Sequence, residues 1–263
     1  MAGGYFDDGT VQVALGAHVF VTPGLRRNNL LLTPLCAPAL ALANGGGVLR
    51  LTVTGQALRQ NLGDAERYAV ELLRALATSG AGALGVEDGA GRRAVFASSV
   101  CTGAAAELRA LRFAEISFDF ACPEAPDDAG WAAMPDAPAV YEGTTSAQDY
   151  AAGGVPLGVG GTMRIEMERR SPVRPLPRAR GARACGPASA ACLRLIVTAH
   201  ALCGPDNLAA ALRDMERSIG ATPVELTANG NIHAGVVLES VQSAHGDRAH
   251  TRFQAEFVQG ISS

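Results

Sequence analysis

The sequence predicts an α+β protein of two tandem modules, each running strand, helix, hairpin, strand. Three observations lead there. Leu49, Leu51, Val53 and Leu58 match Leu193, Leu195, Val197 and Leu202 at a constant offset of 144 positions. Asp64 matches Asp206 at 142, and Arg112-Phe113 matches Arg252-Phe253 at 140. Each first strand is followed by one stretch with helical apolar spacing. A slowly shrinking offset means that only short deletions separate two copies of one unit, whereas two unrelated β-α-β-rich halves would share no such order.

Along the chain, residues 11 to 21 alternate loosely and read as a strand stopped by a turn at Pro23-Gly24. LRRNNLLLTP adds a short apolar run broken by Pro34, and CAPALALANGGG reads as a short helix or an extended connector ended by Asn44 and Gly45 to Gly47. From Val48, Leu49, Leu51 and Val53 share one face and Arg50, Thr52 and Thr54 the other, the mark of a half-buried strand. Asn61 or Asp64 offers a cap for a helix expected over 64 to 79. Its stripe of Tyr68, Leu72, Leu73 and Leu76 covers one face, so the helix is expected to pack on a sheet. Leu84 and Val86 lead into a hairpin at Glu87-Asp88-Gly89, Val95 to Val100 return, and a last strand is expected from Leu108 to Phe120.

The first module is thus placed at 1–124, a Pro- and acid-rich linker at 125–150, and the second module at 151–263. VPLGVGGTMRIEMER is strand-like and corresponds to residues 11 to 21. The segment from Arg169 to Arg183 holds six Arg and three Pro, so an exposed Arg/Pro-rich loop is expected over 169–190. The second core repeats the first: a strand to Leu202, a helix over 206 to 219 with Leu208, Leu212, Met215 and Ile219 as its stripe, a turn at Asn229-Gly230, and a final strand marked by Phe253 and Phe257.

Composition narrows the function. The 263 residues suffice for two modest cores, and 48% apolar with 5% aromatic residues implies interiors of Ala, Val and Leu. A net charge of -3 argues against a general nucleic-acid binder, which needs a basic face. All 22 basic residues are Arg, a coding bias of GC-rich genomes before it is a functional signal. Cys36, Cys101, Cys122, Cys185, Cys192 and Cys203 lack C-x-x-C spacing and read as small buried hydrophobes of a reduced compartment. The acidic N-terminus is unlike a signal peptide, and no apolar run approaches the ~20 residues of a membrane span, so the protein is expected to stay in the cytoplasm where it is made.

No motif carries chemistry. Gly158, Gly160 and Gly161 lack the third glycine of a dinucleotide fingerprint and precede a strand. His233, His245 and His250 have no ligand spacing and read as surface or hairpin residues. Asp7-Asp8 and Asp127-Asp128 read as solvated turn acids. No catalytic, cofactor-binding or metal-binding residue is expected, and no cofactor. The Arg-rich loop is the one local feature suited to gripping a partner's carboxylates or phosphate.

The order of LRLTVTG, the helix DAERYAVELLRAL, a Gly-containing hairpin and the closing FAEISFDFACPE resembles the tail-tube-like module of bacteriophage tails, most of all the distal tail and tail tube proteins of long-tailed phages. The likeness covers Val48 to Glu124 and Leu193 to Gly260. It implies a β-sandwich or partly open barrel flanked by one helix, copies joining sheets side by side around a channel, and no catalytic residues. Unlike single-module members, this chain carries two modules, so three copies would build a pseudo-hexameric ring. The resemblance therefore implies a homotrimeric virion protein of the tail (tail tube, distal tail or baseplate hub), assembled in the host bacterial cytoplasm. Its expected partners are itself in stacked rings, other tail proteins, and DNA passing without specific binding. Arg174, Arg178, Arg180 and Arg183 are the expected assembly contacts. A free-standing α+β enzyme or ligand-binding protein, or another virion protein using this module outside the tail, are the rival readings.

Overall fold

Alternating apolar residues set the strands of a first ring: β1 (Gly3–Asp7), β2 (Gln12–Leu32), β3 (Leu40–Leu58), β4 (Gly82–Glu87), β5 (Arg93–Arg109) and β6 (Phe113–Cys122), with α1 (Leu62–Thr78) between β3 and β4. These come from a computed structural model that describes residues 3–32, 40–109, 112–122, 126, 130–136, 138–169, 173–175, 182–184, 191–202, 208–220, 222–247 and 250–261. The strands pair antiparallel in the order β1-β2-β3-β6-β5-β4, and β4 returns to β1.

The second half holds β7 (Asp149–Ala152) and β8 (Val155–Arg169), then two short strands, β9 (Val173–Pro175) and β10 (Ala182–Ala184), that pair with each other as a separate hairpin. β11 (Ala191–Leu202), α2 (Leu208–Ile219), β12 (Val224–Ala228), β13 (Asn231–Asp247) and β14 (His250–Ile261) complete it. Its ring runs β7-β8-β11-β14-β13-β12 and back to β7. The chain is predominantly β, with a barrel-like sheet and two helices among the described residues.

The rings share more than strand order. Each fifth strand carries a bulge at the same place, between Cys101 and Gly103 in β5 and between Leu238 and Ser240 in β13. Ser98 in β5 and Gly235 in β13, 137 positions apart like the bulges, both have positive φ (55° and 69°). Gly16 and Gly158 also match: both have positive φ, and a Cβ would lie 2.8 Å from Gln56 O at one and 2.5 Å from His200 O at the other. Only glycine admits so close a crossing of the third strand.

Each ring closes only at the end where its short strands lie. Past that end, β5 and β8 leave β4 and β7 and pair with each other, Gly103 opposite Glu168 through Glu107 opposite Arg164. The long half-strands thereby form one continuous sheet in the order β2-β3-β6-β5-β8-β11-β14-β13. α1 lies across this seam and touches β5 and β6 of the first ring and β8, β11 and β14 of the second. α2 packs mainly on β13 of its own ring.

Several sequence expectations need correction. Pro23-Gly24 ends nothing: β2 continues through it, with Pro23 opposite Leu51, because Pro is tolerated on a strand whose outer edge is unpaired. The stretch expected as a connector at 36 to 47 belongs from Leu40 onward to β3, including the three glycines. Leu108 belongs to β5, which runs to Arg109, rather than opening the last strand, which begins at Phe113. Arg112-Phe113 and Arg252-Phe253 are not equivalent: Phe113 pairs with Leu58, whereas Phe253 pairs with Ala199, which occupies the place of Gly55. That three-residue error flips the face, because strand periodicity is two. α1 buries most of its residues, not one stripe, because strands of both rings and the β12–β13 hairpin pack against it. The Arg-rich segment is partly the β9–β10 hairpin rather than loop alone.

Candidate functional site

The seam is where the two halves are locked together, and α1 supplies most of the lock. Its N-cap is Asn61, whose side-chain oxygen accepts from Asp64 N at 2.9 Å. Leu62, Ala65, Ala69, Leu73 and Leu76 bury an apolar stripe, and Glu66 lies within it, fully buried. A buried carboxylate demands partners. Asn229 Nδ2 donates to Glu66 Oε2 at 2.5 Å, and His233 Nε2 lies 2.6 Å from Glu66 Oε1. Asn231 adds a bond from Nδ2 to Gly63 O at 2.9 Å. All three partners come from the β12–β13 hairpin, whose Asn229-Gly230 turn has positive φ at both residues. Burial lifts the Glu66 carboxyl above its ordinary value, and His233, Asn229 and Asn231 offset this only in part. Tyr150 lies beside the cluster; its hydroxyl and Asn229 Oδ1 complete no well-formed hydrogen bond, and burial pushes the phenol up to about 12.

Two further contacts tie α1 to the second ring. Arg74 donates to Gln259 Oε1 at 2.7 Å, and Gln259 Nε2 in turn to Ala234 O at 2.5 Å. At the C-terminal end of the helix, Arg169 donates to Leu76 O and Ser79 O, and also to Cys101 O of β5. A cation there meets the orphan carbonyls and the negative end of the helix dipole. Arg169, counted by sequence in the exposed Arg-rich loop, is thus a half-buried helix cap.

The segment between the rings is also held down. Arg59 pairs with Asp64 through Nε and Nη2 at 3.1 and 3.0 Å and donates to Pro138 O and Ala139 O. Asp64 also accepts from Gln60 N and Tyr141 N. Burial opposes ionisation of Asp64, but Arg59 and these amides hold its carboxyl below the ordinary value. Arg59 stacks over Tyr68 and Tyr141, and Trp131 meets the edge of Tyr5. Described residues of the expected linker, among them Ala132 and Pro138 to Tyr141, are therefore seated on the first ring and α1.

The Glu66 cluster is sealed, and open grooves on the described surface are lined by other residues. One, of about 730 Å³, runs between α2 and β13 and includes Arg213, Glu216, Arg217, Leu238 and Val241. Another, of about 580 Å³, follows β2 past Phe20 and Val21 to Arg92 and Arg93. The third, of about 210 Å³, lies beside Tyr68 and Tyr141. Among the described residues, no three His, Cys, Asp or Glu side chains gather as metal ligands. No helix among them is long and apolar enough to cross a membrane.

The structure separates the residues singled out by sequence. His233 is a buried partner of Glu66, not a surface histidine. Gly158 and Gly161 are crossing points against the β11 backbone. Asp8 is only partly solvated: burial raises its carboxyl, but the amides of Val11, Gly80 and Thr10 bring it below the ordinary value. Cys101 and Cys122 are buried, and burial pushes the Cys101 thiol up to about 12. Arg174 and Arg183 pair in register in the β9–β10 hairpin, which approaches β3. Arg178, Arg180, Asp127, Asp128, Cys36, Cys185, Cys203 and Asp206 lie outside the described residues. Glu66 was missed because helix reading counts apolar positions; the signal was an acid inside the series Leu62, Glu66, Ala69, Leu73.

No protein-family model matches the sequence, and no curated protein matches it.

Proposed function

We propose that this chain is a structural protein of a bacteriophage tail, a tandem duplication of one tail-tube-like module. Three copies close into a pseudo-hexameric ring around the DNA channel. The observation that supports this most is the seam. Two rings of identical strand order are joined edge to edge through β5 and β8, and, among the described residues, the joined sheet ends in an unpaired stretch of β2 at one side and of β13 at the other. Unpaired edges seek a partner, and a head-to-tail contact that closes makes a ring.

The negative net charge suits a wall along which DNA slides without sticking. The β9–β10 hairpin follows the second strand of its ring and precedes the third in the chain, outside the ring's own pairing, so Arg174, Arg178, Arg180 and Arg183 serve contacts between stacked rings or toward another tail protein. The site of action is the tail of the virion, and assembly takes place in the host cytoplasm.

Sedimentation velocity over a concentration series tests the reading: the chain is expected as a trimer passing into longer stacks. Replacing the four arginines by Ser should weaken stacking while leaving the unfolding transition unchanged. A wild-type chain monomeric at every concentration would remove the proposal, and normal stacking of the variant would remove the role of the arginines.

A further inference from the structure

The seam inside one chain specifies, residue by residue, how two chains would meet. The registers map β5 onto β13 with an offset of 137 and β8 onto β2 with an offset of 142, as the shared bulges and the Gly16–Gly158 match require. The seam pairs Gly103–Glu107 with Glu168–Arg164. Its image pairs Ser240 with Arg26, Val241 with Leu25, Gln242 with Gly24, Ser243 with Pro23 and Ala244 with Thr22. Among the described residues, both of these stretches have one neighbouring strand, β14 for β13 and β3 for β2, and an open edge on the other side.

Exposure points the same way. Met163, Ile165 and Met167 of β8 are buried under α1 and β5, whereas Val21 and Pro23, their counterparts on β2, are exposed. On the other edge, the groove between α2 and β13 leaves Val241 half-buried. α1 fills the corresponding place at the seam by crossing onto β8 and β11; α2 packs on β13 and touches β8, both strands of its own ring.

The geometry points to a second copy of this chain as the occupant: β13 of one copy pairs antiparallel with β2 of the next in the register above, and α2 of the first copy lies over Val21 and Pro23 of the second. This rests on the ring reading and adds the identity of its edges. Exposed polar residues Arg213, Glu216 and Arg217 on α2 make the contact between copies more polar than the apolar seam within a chain.

Disulfide trapping in the full chain tests it. Opposed residues in a strand pair stand within disulfide reach. Gly24 can take a side chain, since a Cβ there meets only Arg50 O at 3.8 Å. The double variant Gly24→Cys, Gln242→Cys should cross-link on mild oxidation into dimers and closed trimers, roughly tenfold or more above the off-register pair Phe20→Cys, Gln242→Cys. Thr22→Cys with Ala244→Cys is a second in-register pair, for use if the first misfolds. Wild type and single variants set the background from native cysteines. Trimers by light scattering without enrichment in either in-register pair would overturn this seam and leave the ring standing. A chain monomeric by light scattering would overturn both.

Discussion

The two helices occupy the same place in rings of the same strand order, yet α1 buries most of its residues and α2 exposes Arg213, Asp214, Glu216, Arg217 and Ser218. The difference follows from what lies beyond each. α1 has a second ring to cover it, fixed in the same chain, so it can afford a buried acid matched by Asn229 and His233. α2 packs mainly on β13 of its own ring, and its described outer residues face solvent and are mostly charged. Within the chain the seam is apolar with specific polar locks, and in the proposed ring the contact between copies is the more polar of the two.

That contrast can be broken by mutation. The largest effect is expected for Arg59→Ala, which leaves the buried Asp64 carboxylate without its cation: a loss of roughly 3–5 kcal/mol in denaturant unfolding. Measured stability close to wild type would mean that the segment at 138–141 is not held through Arg59. Next comes a matched pair. Glu66→Ala leaves Asn229 Nδ2 and His233 Nε2 without their buried partner and should cost about 2–4 kcal/mol, whereas Glu216→Ala on α2 should stay within about 0.5 kcal/mol. Equal effects would erase the distinction between the helices.

The smallest effect is one of pH. The folded Glu66 carboxyl is raised above its ordinary 4.5 by burial, so the native state keeps a proton that the unfolded chain releases. Its contribution therefore falls as pH rises from 4.5 toward the folded value. Glu66→Gln removes this loss, and the variant should gain on wild type in thermal or denaturant unfolding as pH rises from 4.5 to 7. A difference independent of pH would show that Glu66 is not held protonated. Asp64 has the opposite sign: its carboxyl is lowered, so its contribution is lost only as pH falls below 3.8.

How far the sequence could be read depended on how local each signal was. Leu49, Leu51 and Val53 announced a half-buried strand because alternation is written within a few residues, and the cap and stripe of α1 are equally local. The long run of β2 through Pro23-Gly24 was hidden because turn residues normally end strands and only the pairing with Leu51 overrides them. The match of Arg112-Phe113 to Arg252-Phe253 failed because two identical residues cannot report register, which the partner strand decides. Arg169 looked like one more arginine of an exposed run; its role as a helix cap depends on Ser79, 90 positions earlier. The Glu66 cluster joins residues more than 160 positions apart, a distance at which no pattern in the sequence speaks.

The central claim is that the two rings are equivalent units and that the free edges of β2 and β13 are the seam repeated between chains. Electron micrographs of the purified chain at high concentration test it most directly. The account predicts closed rings of six equal lobes around an open centre, each built from three chains of 27.0 kDa. Isolated two-lobed particles at every concentration, or rings with any number of lobes other than six, would contradict it.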